Sequence, residues 1–161
     1  MPRINPVTTT DAATQATLDA VKAKIGMVPN LYATFAQAPA VLTGFLGLGD
    51  ALAKGSLSAA QREIVALATA QTNGCHYCVS AHTLLGKGAG LSADAIRDAR
   101  QGKGANAIDN AIAALAVSLV EARGSISDAD LAAARLAGLN DGLIVEVIAH
   151  VAYNTLTNFT N

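Results

Sequence analysis

The pattern of hydrophobic and polar positions in this chain is that of α-helices separated by turn signals. Glycine or Asn-Gly interrupts the pattern at helix-length intervals, and Ser, Asn, Asp or Pro stands where the next segment begins. Alternation with the period of a β-strand is nowhere sustained, and 35 of the 161 residues are alanine, which has the highest helix propensity. We therefore predict one all-α domain over residues 1–161, a helical bundle of about eight or nine helices with short joints.

The starts of the helices are the best-marked positions. Ser58 and Gln61 have the spacing of a capping box, in which each side chain binds a free backbone N–H group of the first turn. Two of the predicted spans are 39–54, which ends before a glycine, and 75–87. Along the chain, the predicted caps or first positions are Thr10 or Asp11, Pro29, Pro39, Ser58, Cys75, Ser92, Asn106 or Asp109, Ser127 and Asn140.

Composition narrows the class of protein. Hydrophobic residues make up 52% of the chain and charged residues only 14%, so the chain is too apolar to be disordered. The formal net charge is −1, which offers no basic surface for a nucleic acid. No apolar run approaches the roughly 20 residues of a membrane span. We expect a soluble homo-oligomer that buries its apolar surplus between subunits and, because the first residues do not resemble a secretory signal, a cytoplasmic location.

The only two cysteines, Cys75 and Cys78, stand three residues apart at the predicted start of a helix. Free N–H groups and the helix dipole favour a thiolate at such a position. Where thiols are kept reduced, a lone C-x-x-C pair indicates redox or metal chemistry rather than a structural cross-link. His82 follows on the same helix face, four residues after Cys78, close enough to exchange a proton directly or through one water.

A carboxylate on the preceding helix belongs to the same constellation. Glu63 is the one charged residue in a row of small or apolar residues, and a carboxylate there needs a partner. If the two helices form a hairpin about Asn73-Gly74 and cross, Glu63 can approach His82. The spacing therefore permits a Glu63–His82–Cys78 relay without requiring it.

Two other interpretations of these residues stay open. The cysteines could be ordinary buried small residues. Alternatively, Cys75, Cys78, His82 and Glu63 could bind zinc, although three ligands from about two turns of one helix approach a tetrahedron awkwardly. Thiol redox chemistry is the interpretation that we favour.

The last predicted helix carries a polar row of Glu146, His150, Tyr153 and Thr157. Ile144, Ile148 and Val151 are expected on the opposite side. We expect this row to face solvent or another subunit, and the alternative is a supporting role beside the redox site.

The spacing of Glu63, Cys75, Cys78 and His82 resembles the signature of the alkylhydroperoxidase D-like and carboxymuconolactone decarboxylase superfamily. The match is strongest over about residues 45–120, and the likeness to the peroxidase-related branch extends over nearly the whole chain. The resemblance implies an all-helical fold, homo-oligomers that are trimers or hexamers, and no bound cofactor or metal. It also implies that Cys78 attacks peroxide, Cys75 resolves the product, and Glu63 and His82 relay the proton.

Two points qualify the transfer of roles. The helix start favours Cys75 as the more acidic thiol, whereas the resemblance assigns the attack to Cys78, and we adopt Cys78 because His82 lies four residues from it. The founding hydroperoxidase has a histidine immediately before the second cysteine, where this chain has Tyr77. We expect the Tyr77 hydroxyl to supply a hydrogen bond in its place.

The predicted function is a thiol-dependent peroxidase that reduces alkyl hydroperoxides and is regenerated by an external dithiol or protein reductant. The alternatives are a thiol–disulfide oxidoreductase that acts on protein partners and a non-enzymatic helical oligomer with a structural zinc. A lactone decarboxylase is disfavoured, because that branch does not depend on a cysteine pair.

Overall fold

Every regular element in the computed structural model, which describes residues 3–161, is an α-helix. The all-α class and the number of helices predicted from the sequence are therefore confirmed. The nine helices of the described residues are α1 (Ala12–Ile25), α2 (Asn30–Phe35), α3 (Pro39–Leu52), α4 (Ala59–Thr72), α5 (His76–Gly88), α6 (Ala93–Arg100), α7 (Ala107–Glu121), α8 (Asp128–Leu136) and α9 (Asp141–Thr160). Within the described part of the chain, no helix has the length and hydrophobicity that a membrane span requires.

The chain forms two compact units, one that ends at Ala51 and one that covers Leu52–Asn161. In the first unit the ring of Phe45 lies against those of Tyr32 and Phe35, with centroids 5.8 and 4.9 Å apart. The single domain expected over the whole chain stays a prediction. All of the predicted site residues belong to the second unit.

Helix α4 is the centre of the second unit. Its residues 64–70 are all buried, because this stretch is small or apolar on every side and α5, α6, α7 and α9 all contact it. Leu67 of α4, Ile112 of α7 and Val147 of α9 are fully buried in the shared core. Glu63 lies immediately before this buried stretch, so the core fixes the position of its backbone.

The helices begin where the sequence places their caps. Ser58 and Gln61 form the predicted capping box, and Asp11, Ser92, Asn106, Ser127 and Asn140 each accept a backbone N–H of the first turn. Helix α3 ends at Leu52 rather than at residue 54. The reason is that Gly55 donates its N–H to Leu52 O at 3.1 Å, which closes a turn, and the next two N–H groups bind a carboxylate of α9.

Helix α9 differs in part from what its pattern predicts, although Ile144 and Val151 are buried as expected. His150 and Thr157 are buried, so the expectation of a solvent- or subunit-facing row is wrong for them, and Ile148 is exposed. Two buried polar side chains find partners on their own helix, since Asn154 Nδ2 donates to His150 O at 2.8 Å and Thr157 Oγ1 donates to Asn154 O at 2.7 Å. Such side chains can face the core because the helix itself supplies the acceptors.

Two contacts show that α9 runs beside α4 in the same direction. At its start, the Glu146 carboxylate accepts the N–H groups of Ser56 and Leu57 at 2.8 and 2.9 Å, just before α4 begins. At its end, Asn158 Oδ1 accepts from Asn73 Nδ2 at 3.0 Å, just after α4 ends. This register brings the middle of α9 alongside Glu63 and its end alongside the start of α5.

Candidate active site

The turn between α4 and α5 places the two cysteines. Gly74 adopts a φ of 71°, a conformation that glycine takes without strain, and Cys75 N then donates to Ala70 O at 3.0 Å. Cys75 is the N-cap of α5, and its Sγ accepts the backbone N–H of Cys78 at 3.3 Å. The first cysteine thus takes the place that Ser or Asp occupies at other helix starts.

Cys75 and Cys78 are joined by a disulfide, with their Cα atoms 5.3 Å apart. One turn of helix therefore holds the pair at bonding distance. Their surroundings differ: Cys75 is half-buried, whereas Cys78 is only 3% exposed. Cys78 Sγ also lies 3.4 Å from the side-chain amide nitrogen of Asn161, at the end of α9.

Glu63 and His82 are in hydrogen-bond contact across the two helices. Glu63 Oε2 lies 2.8 Å from His82 Nδ1, and the two side chains are 18% and 20% exposed. Helices α4 and α5 approach each other here. Glu63, ten residues before Asn73, therefore meets His82, eight residues after Gly74. The carboxylate fixes the orientation of the ring and leaves Nε2 as its second functional atom.

The four residues predicted from the sequence are thus brought together as two pairs, the Cys75–Cys78 disulfide and the hydrogen-bonded Glu63–His82 pair. Within residues 3–161, no hydrogen bond links His82 directly to either sulfur. Tyr77 points away from the buried side of α5 and is 66% exposed. The roles of these residues in a reaction remain predictions.

The pattern of α9 predicts an outward-facing His150. In the structure His150 is buried, close enough to Glu63 to feel its charge. Burial lowers the pKa of His150 below 6.5; the charges of Glu146 and Glu63 oppose this shift, and that of Arg62 adds to it. Its Nε2 has no hydrogen-bond partner among the described residues. The position of His150 four residues after Glu146 is visible in the sequence, but it does not indicate which way the His150 side chain points.

Asn161 was missed altogether. Nothing in its local sequence distinguishes it from other polar residues near a helix end. Its contact with Cys78 arises only because the register of α9 against α4 carries the end of α9 to the start of α5.

In the described residues, no group of three or more His, Cys, Asp or Glu side chains is arranged to hold a metal ion. The four residues of the zinc interpretation do not form one cluster, since the sulfurs are bonded to each other and the carboxylate is bonded to the imidazole. What the arrangement offers chemically is a dithiol–disulfide couple beside an acid–base pair.

Several solved structures share this fold. A peroxidase-related protein from Ralstonia eutropha JMP134, described as an alkylhydroperoxidase AhpD core, is 24% identical with a TM-score of 0.82 over 99% of this chain and 89% of that one. A peroxidase-related protein from Silicibacter sp. TM1040 is 22% identical with a TM-score of 0.82, over 98% and 88% of the two chains.

The debrominase Bmp8 also has this fold. It is 16% identical with a TM-score of 0.80, over 99% of this chain and 88% of its own. A cysteine-to-alanine variant of Bmp8 has been solved in complex with 2,3,4-tribromopyrrole. No curated protein matches the chain.

Residues 39–117, which include both pairs of the site, match the model of the carboxymuconolactone decarboxylase family. The fold of the two peroxidase-related structures agrees with this match. The family match and the shared fold together support the alkylhydroperoxidase D-like and carboxymuconolactone decarboxylase superfamily, as the sequence motif predicts.

Proposed function

We propose that this protein is a thiol-dependent peroxidase that reduces alkyl hydroperoxides. The observation that supports it most is the Cys75–Cys78 disulfide at the first turn of α5, next to the hydrogen-bonded Glu63–His82 pair. A peroxidase needs a thiolate, a second thiol within bonding reach and a group that manages protons. The two pairs supply all three within one helix hairpin.

In the proposed reaction the Cys78 thiolate attacks the distal oxygen of the hydroperoxide. The O–O bond breaks, Cys78 becomes a sulfenic acid, and the alkoxide leaves as an alcohol after taking a proton. The Cys75 thiolate then attacks the sulfur of that sulfenic acid. The S–S bond forms and hydroxide leaves as water, so two thiols and one hydroperoxide give a disulfide, an alcohol and water.

An external dithiol or protein reductant returns the disulfide to two thiols by exchange. Cys75 is the more exposed of the two sulfurs, which favours it as the atom that the reductant attacks. We place this cycle in the cytoplasm, where reductants of this class are kept reduced.

Glu63 and His82 are the proposed proton relay. His82 Nδ1 is bound to Glu63, so its Nε2 is the nitrogen available to take the proton of Cys78, directly or through a water, and to return it to the leaving alkoxide. The carboxylate stabilises the imidazolium that forms in between. No organic cofactor or metal enters this cycle.

Tyr77 has a subsidiary proposed role, a hydrogen bond from its hydroxyl during turnover. Its exposure leaves the hydroxyl free to meet an incoming peroxide or reductant. We expect Tyr77→Phe to slow the oxidation of the thiols by alkyl hydroperoxide in stopped-flow measurements. An unchanged rate would remove Tyr77 from the mechanism.

Two other thiol chemistries fit the same residues. A thiol–disulfide oxidoreductase would use the pair on protein partners without meeting peroxide. The debrominase Bmp8 shares the fold. A brominated aromatic compound is therefore the third substrate class to test. Each alternative is distinguished by the substrate that oxidises the reduced thiols.

The deciding experiment mixes the reduced protein with one equivalent of cumene hydroperoxide. Quenching by alkylation at short times, followed by intact mass, measures the fate of both thiols. We expect the wild type to lose two hydrogens, the Cys75→Ser variant to accumulate a trapped sulfenic acid on Cys78, and the matched Cys78→Ser variant to react much more slowly. Thiols that stay reduced for minutes would overturn the peroxidase proposal, and parallel samples with tribromopyrrole and with a protein disulfide would identify the alternative.

We also propose that the working form is a homo-oligomer, a trimer or a hexamer. The outward face of α9 supports this, because it carries large apolar side chains along its whole length: Val145, Ile148, Leu156 and Phe159. A contiguous exposed apolar stripe is unusual on a monomer and typical of an interface.

A further inference from the structure

We propose that the side-chain amide of Asn161 is a catalytic hydrogen-bond donor to Cys78 Sγ. The inference deepens the proposed peroxidase function and rests on it. Asn161 Nδ2 lies 3.4 Å from that sulfur, within the distance at which an N–H group donates to sulfur. The amide thus touches the atom that attacks the peroxide in the proposed reaction.

The amide is held in this direction by the helix that carries it. Asn161 Nδ2 also donates to Thr157 O at 3.1 Å, and the backbone N–H of Asn161 donates to the same oxygen at 3.0 Å. An amide nitrogen has two hydrogens, so one satisfies the helix end while the other is directed at the sulfur. The donor is therefore already directed at Cys78 Sγ in the disulfide form that the structure shows.

The end of α9 is tied in turn to the turn that carries the cysteines. Asn73 Nδ2 donates to Asn158 Oδ1 at 3.0 Å, and Asn73 precedes Cys75 by two residues. Asn158 is buried, so the contact is shielded from water. This hydrogen bond holds the turn against the end of α9. It therefore keeps the distance between Asn161 and Cys78 short.

Cys78 needs a donor from outside its own helix. It is only 3% exposed, and a thiolate buried away from water is unfavourable unless hydrogen bonds replace the lost hydration. The N–H of Cys78 is directed at Cys75 Sγ instead, so this donor of the first helical turn serves the other sulfur. The Asn161 amide is the side-chain donor that reaches Cys78.

The contribution to the reaction follows from the charge on the sulfur. A hydrogen bond to a thiolate is charge-assisted and stronger than one to a disulfide sulfur. The amide therefore stabilises the reduced, reactive form of Cys78 more than the oxidised form, and it transfers no proton itself. By the same argument it makes the disulfide easier to reduce.

The test uses the full chain with Cys75→Ser, so that Cys78 is its only thiol, and it needs no peroxide. Thiolate formation is followed by ultraviolet absorbance against pH, and the rate of alkylation by iodoacetamide is measured at fixed pH. We expect Asn161→Ala to move the titration midpoint upward by about one pH unit and to slow alkylation about tenfold at a pH below the midpoint. Thr160→Ala, whose hydroxyl binds Leu156 O, is the matched control and should change neither.

A second variant keeps the proposal falsifiable if truncation loosens the end of α9. Asn161→Asp retains the shape but replaces the donor with a negatively charged oxygen, so the midpoint should rise further than in Asn161→Ala. Midpoints equal to the parent in both variants, with unchanged thermal melting, would overturn the role of Asn161. Because peroxide is absent, that result would leave the peroxidase proposal to be judged by its own experiment.

Discussion

The two sulfurs of the candidate site receive their hydrogen bonds from different helices. Cys75 Sγ accepts from the backbone of α5, and Cys78 Sγ accepts from the Asn161 side chain of α9. The helix start therefore favours a thiolate at Cys75, as the sequence indicates, while a separate donor serves Cys78. Which sulfur attacks first stays a prediction, and the Asn161 donor can be removed without changing either cysteine.

At the scale of single residues, the Glu63 carboxylate is the first test of the relay. Glu63→Gln retains a group that can bind His82 Nδ1 but removes the charge that stabilises an imidazolium. We expect the oxidation of the thiols by hydroperoxide to slow by about 100-fold, within the usual contribution of general acid–base catalysis. The measurement is stopped-flow oxidation of the reduced protein. Glu121→Gln, an exposed carboxylate on α7, is the control, and a rate within a factor of about two of the wild type in Glu63→Gln would exclude the relay.

His150 gives a prediction about pH and stability. Its pKa in the folded state lies below 6.5, so near and below that pH the unfolded chain binds a proton that the folded chain does not. The free energy of unfolding should therefore fall as the pH drops from about 7 and should stop falling once the pH is below the folded pKa of His150. The charged groups that act on this ring are Glu146, Glu63 and Arg62.

The check on His150 is urea unfolding at a series of pH values. His150→Gln should flatten the fall in the free energy of unfolding on the acid side, whatever its effect at neutral pH. His76→Gln, at an exposed position, should leave the slope unchanged. Equal slopes in the wild type and His150→Gln would show that His150 does not cause the pH dependence.

At the scale of elements, Glu146 joins the start of α9 to the segment before α4. Its carboxylate accepts two backbone N–H groups, and a Cβ added at Gly55 would overlap it. The absence of a side chain at Gly55 is therefore what admits the carboxylate. Gly55→Ala should push Glu146 aside and lose the same two hydrogen bonds that Glu146→Ala removes.

A double-mutant cycle measures this coupling. Each single variant should lower the free energy of unfolding by about 1–3 kcal/mol, the cost of losing hydrogen bonds to a charged group. Gly55→Ala should add little once Glu146→Ala is present, because the bonds are already lost. Urea denaturation gives the four values, and strictly additive losses would mean that the two residues act separately.

Elements also show what a sequence can and cannot predict. Helix starts depend on side chains within a few residues, so Ser58 and Asn140 were found from local spacing alone. The directions of the faces of α9 were not, because the pattern assumes that apolar residues face the core. In α9, His150 and Thr157 face the core beside Val147, and a second set of apolar residues, Ile148 among them, faces outward.

In the candidate site, too, some contacts can be predicted from the sequence and others cannot. Glu63 and His82 lie on consecutive helices joined by a short turn, so their approach could be anticipated from their distances to Asn73-Gly74. Asn161 is far from Cys78 in the sequence, and only the packing of α9 beside α4 brings them together. Contacts of this kind depend on tertiary register, which no local pattern encodes.

At the scale of the whole molecule, the exposed side of α9 carries part of the surplus of apolar residues in the composition. Val145, Ile148, Leu156 and Phe159 share one side of the helix, spaced so that each lies one or more turns from the next. Leaving such a stripe in water is unfavourable, and contact with other copies of the chain would cover it. The exposed apolar stripe of α9 is thus the surface that the proposed oligomer would bury.

The proposed oligomer gives the last prediction. Light scattering at micromolar concentration should give a mass of three or six chains for the wild type. Val145→Lys puts a charge in the stripe and should shift the mass toward a single chain, because burying an unpaired ammonium group is unfavourable. Leu136→Lys, at an exposed position on α8 outside the stripe, should leave the mass unchanged. A wild-type mass of one chain would refute the oligomer, and an oligomer that survives Val145→Lys but not Leu136→Lys would move the interface from α9 to α8.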